Sequence, residues 1–121
     1  MAKKILIVDD EQDILRIITF RLKNLGYELL TAGDGQAALD TIAKSRPDLI
    51  ILDLRLPIID GQEVCRRVKG DERTKDIPVI LLTASSGLVS GDKVKDLGAD
   101  DFILKPFDTE NLIAKVKAFL K

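Results

Sequence analysis

The sequence predicts an α/β fold, a doubly wound sandwich of a five-stranded parallel sheet flanked by five helices, on three observations. Short apolar runs alternate with longer segments of helical period, the pattern of repeated βαβ units. Several of these runs are continuous and β-branched, as strands buried on both faces require. The chain has 121 residues, room for one domain over 1–121, and no repeat, linker or low-complexity tract interrupts the alternation.

Taken in order, Lys4 to Val8 reads as the first strand. Ile14, Leu15, Ile18, Leu22 and Leu25 follow at spacings of three and four, marking a first helix that Gly26 can terminate. Glu28 to Ala32 is the second strand, and Ala37, Ala38, Leu39 and Ile42 mark the second helix. Leu49 to Asp53 is the third strand, with Val64, Cys65 and Val68 the inner stripe of a short third helix. Val79 to Leu82 is the fourth strand. Ser85, Ser86, Gly87, Ser90 and Gly91 then precede Val94 and Leu97; they are poor helix formers, so the fourth helix is expected to start late or fray. Phe102 to Leu104 is the fifth strand, and Leu112, Ile113, Val116, Phe119 and Leu120 give the last helix its inner stripe, with Asp108 as N-cap.

Composition removes whole classes of function. Charged residues make up 32% of the chain, yet 19 basic against 20 acidic residues leave a net charge of -1 and no bulk attraction to nucleic acid or membrane. Lys115, Lys117 and Lys121 on the last helix read as a solvated face. The one cysteine, Cys65, has no partner for an internal disulfide, and the opening MAKKILIV is too short an apolar stretch for a signal peptide or a span, so a reducing cytoplasm is the expected location. With no histidine, a Ser-His-Asp triad, a Cys-His pair and histidine-based zinc sites are excluded. Carboxylates, a few hydroxyls and lysines remain, and hard oxygen ligands of this kind suit magnesium, manganese or calcium better than soft metals.

In doubly wound sheets ligands sit beyond the carboxyl ends of the strands. Those ends carry Asp9 and Asp10 after the first strand, Asp53 at the third, Thr83 and Ala84 after the fourth, and Lys105 with Pro106 after the fifth. Singly each has a bland reading: a helix-capping Asp, a turn Thr, a solvated Lys. Together, three carboxylates from different strands would repel by about 4 kcal/mol per close pair at an effective dielectric of about 20, which a divalent cation offsets. Asp10 and Asp53 are the preferred direct ligands. Asp53 could then attack a phosphorus centre as a carboxylate nucleophile, with Lys105 neutralising charge, Thr83 donating its hydroxyl and the small Ala84 leaving the approach open.

These residues resemble the receiver domain of two-component response regulators. The resemblance runs through ILIVDDEQD, LIILDLRLPIIDG around Asp53, VILLTA ending in Thr83 and Ala84, and GADDFILKPF with Lys105 and Pro106, so that nearly the whole chain is covered by four motifs in the family's order. It implies a flavodoxin-like sheet in the order 2-1-3-4-5 and phosphoryl transfer to Asp53 from a sensor histidine kinase or phosphotransfer protein. It implies Mg2+, or Mn2+ in its place, held by Asp10, Asp53 and the backbone carbonyl of Arg55, with Asp9 acting through water. It further implies a cis peptide between Lys105 and Pro106, Thr83 and Phe102 as switch residues, and Arg55 and Ser85 at positions that influence phosphoryl lifetime. Partners would be a downstream output protein or domain, or a second copy in a phosphorylation-dependent dimer, reading the surface of the fourth helix, fifth strand and fifth helix. The stretch SSGLVSG departs from the more charged sequence of relatives.

Three other readings compete. An aspartyl-phosphate hydrolase needs an acidic residue two positions after the nucleophile, where this chain has Arg55. A flavin or nucleotide binder would place phosphate where Asp9, Asp10 and Glu11 repel it. An adaptor that is never phosphorylated would tend to lose the site residues retained here. The chain either acts alone by binding partners or is a receiver cut from a longer regulator.

Overall fold

The computed structural model describes residues 2–83 and 91–121, with residues 91–93 described by backbone alone. Ten elements follow in the order β1 (Lys4–Val8), α1 (Gln12–Lys23), β2 (Glu28–Ala32), α2 (Gly35–Ser45), β3 (Leu49–Asp53), α3 (Gly61–Gly70), β4 (Val79–Thr83), α4 (Gly91–Leu97), β5 (Asp101–Leu104) and α5 (Thr109–Phe119). The strands form one parallel sheet in the order β2-β1-β3-β4-β5. The chain thus runs outward from β1 to β2 and then crosses to β3, which makes the gap between β1 and β3 the switch point of the sheet.

Period-two alternation along the strands builds two cores. Leu6, Val8, Ile50, Leu52, Val79 and Leu81 pack with Ile42, Val64, Val68 and Leu97 of α2, α3 and α4 on one face. Ile5, Ile7, Leu49, Ile51, Ile80 and Leu82 pack with Leu15, Ile18, Leu22, Leu112 and Val116 of α1 and α5 on the other. β1, β3 and β4 are therefore aliphatic except at Lys4, Asp53 and Thr83 at their ends, each enclosed aliphatic side chain contributing roughly 1.5–3 kcal/mol. Cys65 lies wholly inside the first core, where its thiol donates to the Leu97 carbonyl at 3.3 Å and burial pushes its pKa up to about 11.

Three of the helices, α2, α3 and α5, begin on capping carboxylates. Asp34 accepts from the Ala37 N–H at 2.7 Å, Asp60 from the Glu63 N–H at 3.0 Å, and Asp108, the expected cap, from the Glu110 N–H at 2.9 Å. Such caps each contribute roughly 1 kcal/mol.

Differences from expectation are local. β4 runs one residue further, to Thr83, and β5 begins one earlier, at Asp101, because parallel pairing of Ile80 with Asp101 and of Thr83 with Leu104 completes the ladder. Leu25 lies beyond the end of α1 and is 43% exposed, since the chain has left the helix before Gly26 turns it at φ +92. Lys115 is not a free surface charge: its ammonium reaches the Asp101 carboxylate at 2.8 Å and ties α5 to β5. The expected late start or fraying of the fourth helix falls on residues 84–90, outside the described residues.

The loop from β3 into α3 is pressed against the end of its own strand. The Gly61 N–H donates to the Leu54 carbonyl at 2.9 Å, and a Cβ on Gly61 would lie 2.1 Å from the Asp53 carbonyl oxygen. Only hydrogen fits there. Gly61→Ala is expected to lower unfolding free energy by at least about 2 kcal/mol through overpacking, read as a urea midpoint shift at unchanged slope; a loss below about 0.5 kcal/mol would show that the loop yields freely.

Candidate functional site

The strand register alone brings the acidic residues together. β1 and β3 align Val8 with Leu52, so Asp9 and Asp53 follow side by side at the switch point. β4 and β5 align Thr83 with Leu104, and the Lys105 N–H donates to the Thr83 carbonyl at 2.6 Å. The Lys105–Pro106 peptide is cis, as the resemblance implies.

Lys105 reaches back across the carboxyl edge. Its Nζ donates to Asp9 Oδ2 at 2.8 Å and Asp53 Oδ2 at 3.1 Å, and lies 3.4 Å from Glu11 Oε1. Backbone amides hold the far oxygens: the Glu11 N–H donates to Asp9 Oδ1 at 2.9 Å, and the Arg55 N–H to Asp53 Oδ1 at 3.1 Å. Asp9 is fully enclosed, Asp53 and Thr83 are buried, and Asp10 is exposed. One carboxylate oxygen from each of Asp9, Asp10, Glu11 and Asp53 lies within 4.8 Å of all the others.

Four carboxylates against one ammonium leave this pocket net negative. At about 4–5 Å and an effective dielectric of about 20, each like-charged pair costs roughly 3–4 kcal/mol. The donors are all hard oxygens, some buried and some facing solvent, which fits a magnesium-like ion that keeps part of its water shell. A pocket of about 460 Å³ opens beside Asp10, with Arg55, Pro57 and Gln62 on its wall, leaving room for an incoming group.

Asp53 and Lys105 show opposite balances. Burial, reinforced by the charge of Asp9, raises the Asp53 carboxyl above its usual 3.8 despite the Arg55 N–H and Lys105. Burial pulls on Lys105 in the neutral direction, but the hydrogen bond to Asp9 and the charges of Asp53 and Asp9 outweigh it and raise Lys105 above 10.5. Lys105 is therefore an ammonium at any physiological pH, and its contribution to stability is lost only as pH rises through that raised value.

The structure gathers Asp9, Asp10, Asp53, Thr83 and Lys105 at one edge, with Arg55 and Pro106 in the adjoining loops. Phe102 lies one strand away on β5, half-buried against the first core and in register with Leu81. Ala84 and Ser85 lie outside the described residues. Glu11, expected only to repel anions, proves to be the fourth carboxylate of the cluster and a third partner of Lys105; the acidic run Asp9-Asp10-Glu11 was its signal.

A family model described as the response regulator receiver domain matches residues 5–117. Solved structures are similar over nearly the whole chain. The chemotaxis response regulator CheY4 of Vibrio cholerae superposes with a TM-score of 0.90 at 32% identity, covering 98% of this chain and 99% of that one. The signal receiver domain of a signal transduction histidine kinase from Syntrophus aciditrophicus gives 0.90 at 38%, covering 98% and 90%. DrrB, a Thermotoga maritima OmpR/PhoB homologue, gives 0.88 at 38% over 99% of this chain and 53% of its own.

Two outcomes test the electrostatics, both measured without divalent cations. Lys105→Met leaves Asp9 enclosed without a counter-charge and is expected to cost about 3–5 kcal/mol at neutral pH, with the loss shrinking in acid. Asp53 binds its proton more tightly folded than unfolded, so its own contribution to stability falls as pH rises from the unfolded to the raised folded pKa, and it is unfavourable above that window. Asp53→Asn should accordingly have a higher melting temperature than the parent at pH 7 and lose the advantage in acid; an advantage that grows as pH falls would contradict this sign.

Proposed function

Because the chain belongs to the response regulator receiver domain family, a family of signalling domains, we propose that it accepts a phosphoryl group on Asp53 from the phosphohistidine of a sensor kinase or phosphotransfer protein and then changes what it binds. The observation that carries this reading is the buried Asp53 carboxylate with Lys105 Nζ 3.1 Å away in a cluster of hard oxygen donors.

In the transfer, an Asp53 carboxylate oxygen forms the new O–P bond as the donor's P–N bond breaks, and that bond pair stays on the imidazole nitrogen. The Arg55 N–H steadies one Asp53 oxygen, which aims the carboxylate out of the sheet edge. Lys105 follows the negative charge from carboxylate to phosphoryl oxygen with little movement. Thr83 brings a hydroxyl from the adjacent strand end to a second phosphoryl oxygen. Asp10, Asp53 and the Arg55 carbonyl would hold Mg2+ or Mn2+, with Asp9 behind a water, and the bound ion supplies positive charge to the carboxylates and the transferring oxygens.

The signal then travels through the strand pair that Lys105 and Thr83 end. Asp101, at the start of β5, is tied to Lys115 of α5, so a rearrangement at the site shares a short strand with the surface of α4, β5 and α5 that partners would read. Thr83 and Phe102 are the proposed switch residues. Reversing a hundredfold bias takes about 5.5 kcal/mol of differential interaction, and two charge-assisted hydrogen bonds supply roughly 3–6 kcal/mol, so over most of that range phosphorylation shifts the population only in part.

Intact mass measurement after incubation with acetyl phosphate and Mg2+ tests the assignment. The chain should gain one phosphoryl group, Asp53→Ala none, and the parent should lose labelling when a chelator replaces the ion. Equal labelling of parent and variant would remove Asp53 from its role.

A further inference from the structure

A second concavity lies at the opposite end of the sheet. Between α2 and α3, a cleft of about 380 Å³ is floored by Leu39, Ile42 and Val68 and edged by three exposed guanidinium groups, those of Arg46, Arg67 and Arg73, and by the Asp71 carboxylate. Arg46 precedes β3 and Asp53 ends it, so roughly 16 Å of strand separates this cleft from the acidic cluster. Its volume falls within the range of about 300–1,000 Å³ in which small molecules bind.

The three cations are not equivalent. Arg73 donates to Asp71 through Nε at 3.3 Å and Nη2 at 3.0 Å, and Arg67 donates to Glu63 at 2.9 Å. Arg46 has no carboxylate partner among the described residues, and its Nε donates to the Arg73 carbonyl at 3.1 Å, which fixes the guanidinium plane at the cleft mouth. The backbone there is left-handed, φ 39 and ψ 79, at the C-cap of α2, a place where glycine or asparagine would end the helix with less strain. The position thus carries an arginine at a conformational cost, over an apolar floor, with one positive charge in excess.

We propose that this cleft binds a small amphipathic organic monoanion, its apolar body on Leu39, Ile42 and Val68 and its carboxylate, phosphate or sulfonate head on Arg46. A planar guanidinium held on edge matches such a head through paired N–H donors. The floor side chains belong to the core shared by α2 and α3, so the site is formed before any ligand arrives.

Titration of the full chain with anilinonaphthalene sulfonate, against its uncharged analogue N-phenylnaphthylamine, tests the proposal. The sulfonate should saturate at one per chain with amide shifts confined to α2, α3 and the segment before β4, and should bind at least about tenfold tighter than the uncharged dye. Arg46→Gln and Arg46→Gly should each weaken it about tenfold, while Arg46→Gly keeps or raises the unfolding midpoint, an effect that a purely structural arginine would not show. Ala43→Phe, which fills the cleft from α2, should abolish binding. Equal affinity for the two dyes, full affinity in Arg46→Gln, or no saturable binding would each overturn the proposal.

Discussion

The site turns on one ammonium enclosed by carboxylates. Lys105 is the only counter-charge within reach of Asp9 and Asp53 among the described residues, and both carboxylates are buried. Removing two carboxylates from water is unfavourable by several kcal/mol each, so this contact makes their position tenable and holds the end of β5 against the ends of β1 and β3. It is also incomplete, since four acidic groups face one cation. That imbalance is what a further positive charge, such as the divalent ion proposed above, would offset.

Much of this was readable from residue order. The strands announced themselves because β1, β3 and β4 are enclosed on both faces, which demands unbroken aliphatic runs. Once five parallel strands are assumed, their carboxyl ends must meet at one edge, so Asp9, Asp10, Asp53, Thr83 and Lys105 could be grouped without coordinates. What escaped depends on side-chain reach and exact approach. Glu11 joins the cluster because the turn after β1 folds back on the Asp9 carboxylate; the acidic run hinted at its presence, but its reach to Lys105 depends on that turn. Leu25 matched the helical period but fell after the helix had ended. The requirement for glycine at position 61 comes from the carbonyl of a residue eight positions earlier, a non-local contact.

The two ends of the sheet differ in character. At the carboxyl edge polar groups converge from separate strands, and their positions follow from register. At the amino edge, a cleft between α2 and α3 sets Arg46 beside half-buried Leu39 and the buried side chains of Ile42 and Val68. Between the two ends, the interiors of β1, β3 and β4 are aliphatic and buried. The resemblance to known proteins, carried chiefly by motifs at the carboxyl edge, says little about the amino one.

The environment of Cys65 has a practical consequence. A thiol with no exposed surface, held up to about 11 and donating to a backbone carbonyl, is almost entirely protonated at neutral pH and shielded from alkylating reagents. It is also the sole cysteine of the chain. A fluorophore or spin label can therefore be attached through a single cysteine introduced on the surface, leaving the native sulfur silent and the core that contains it unaltered.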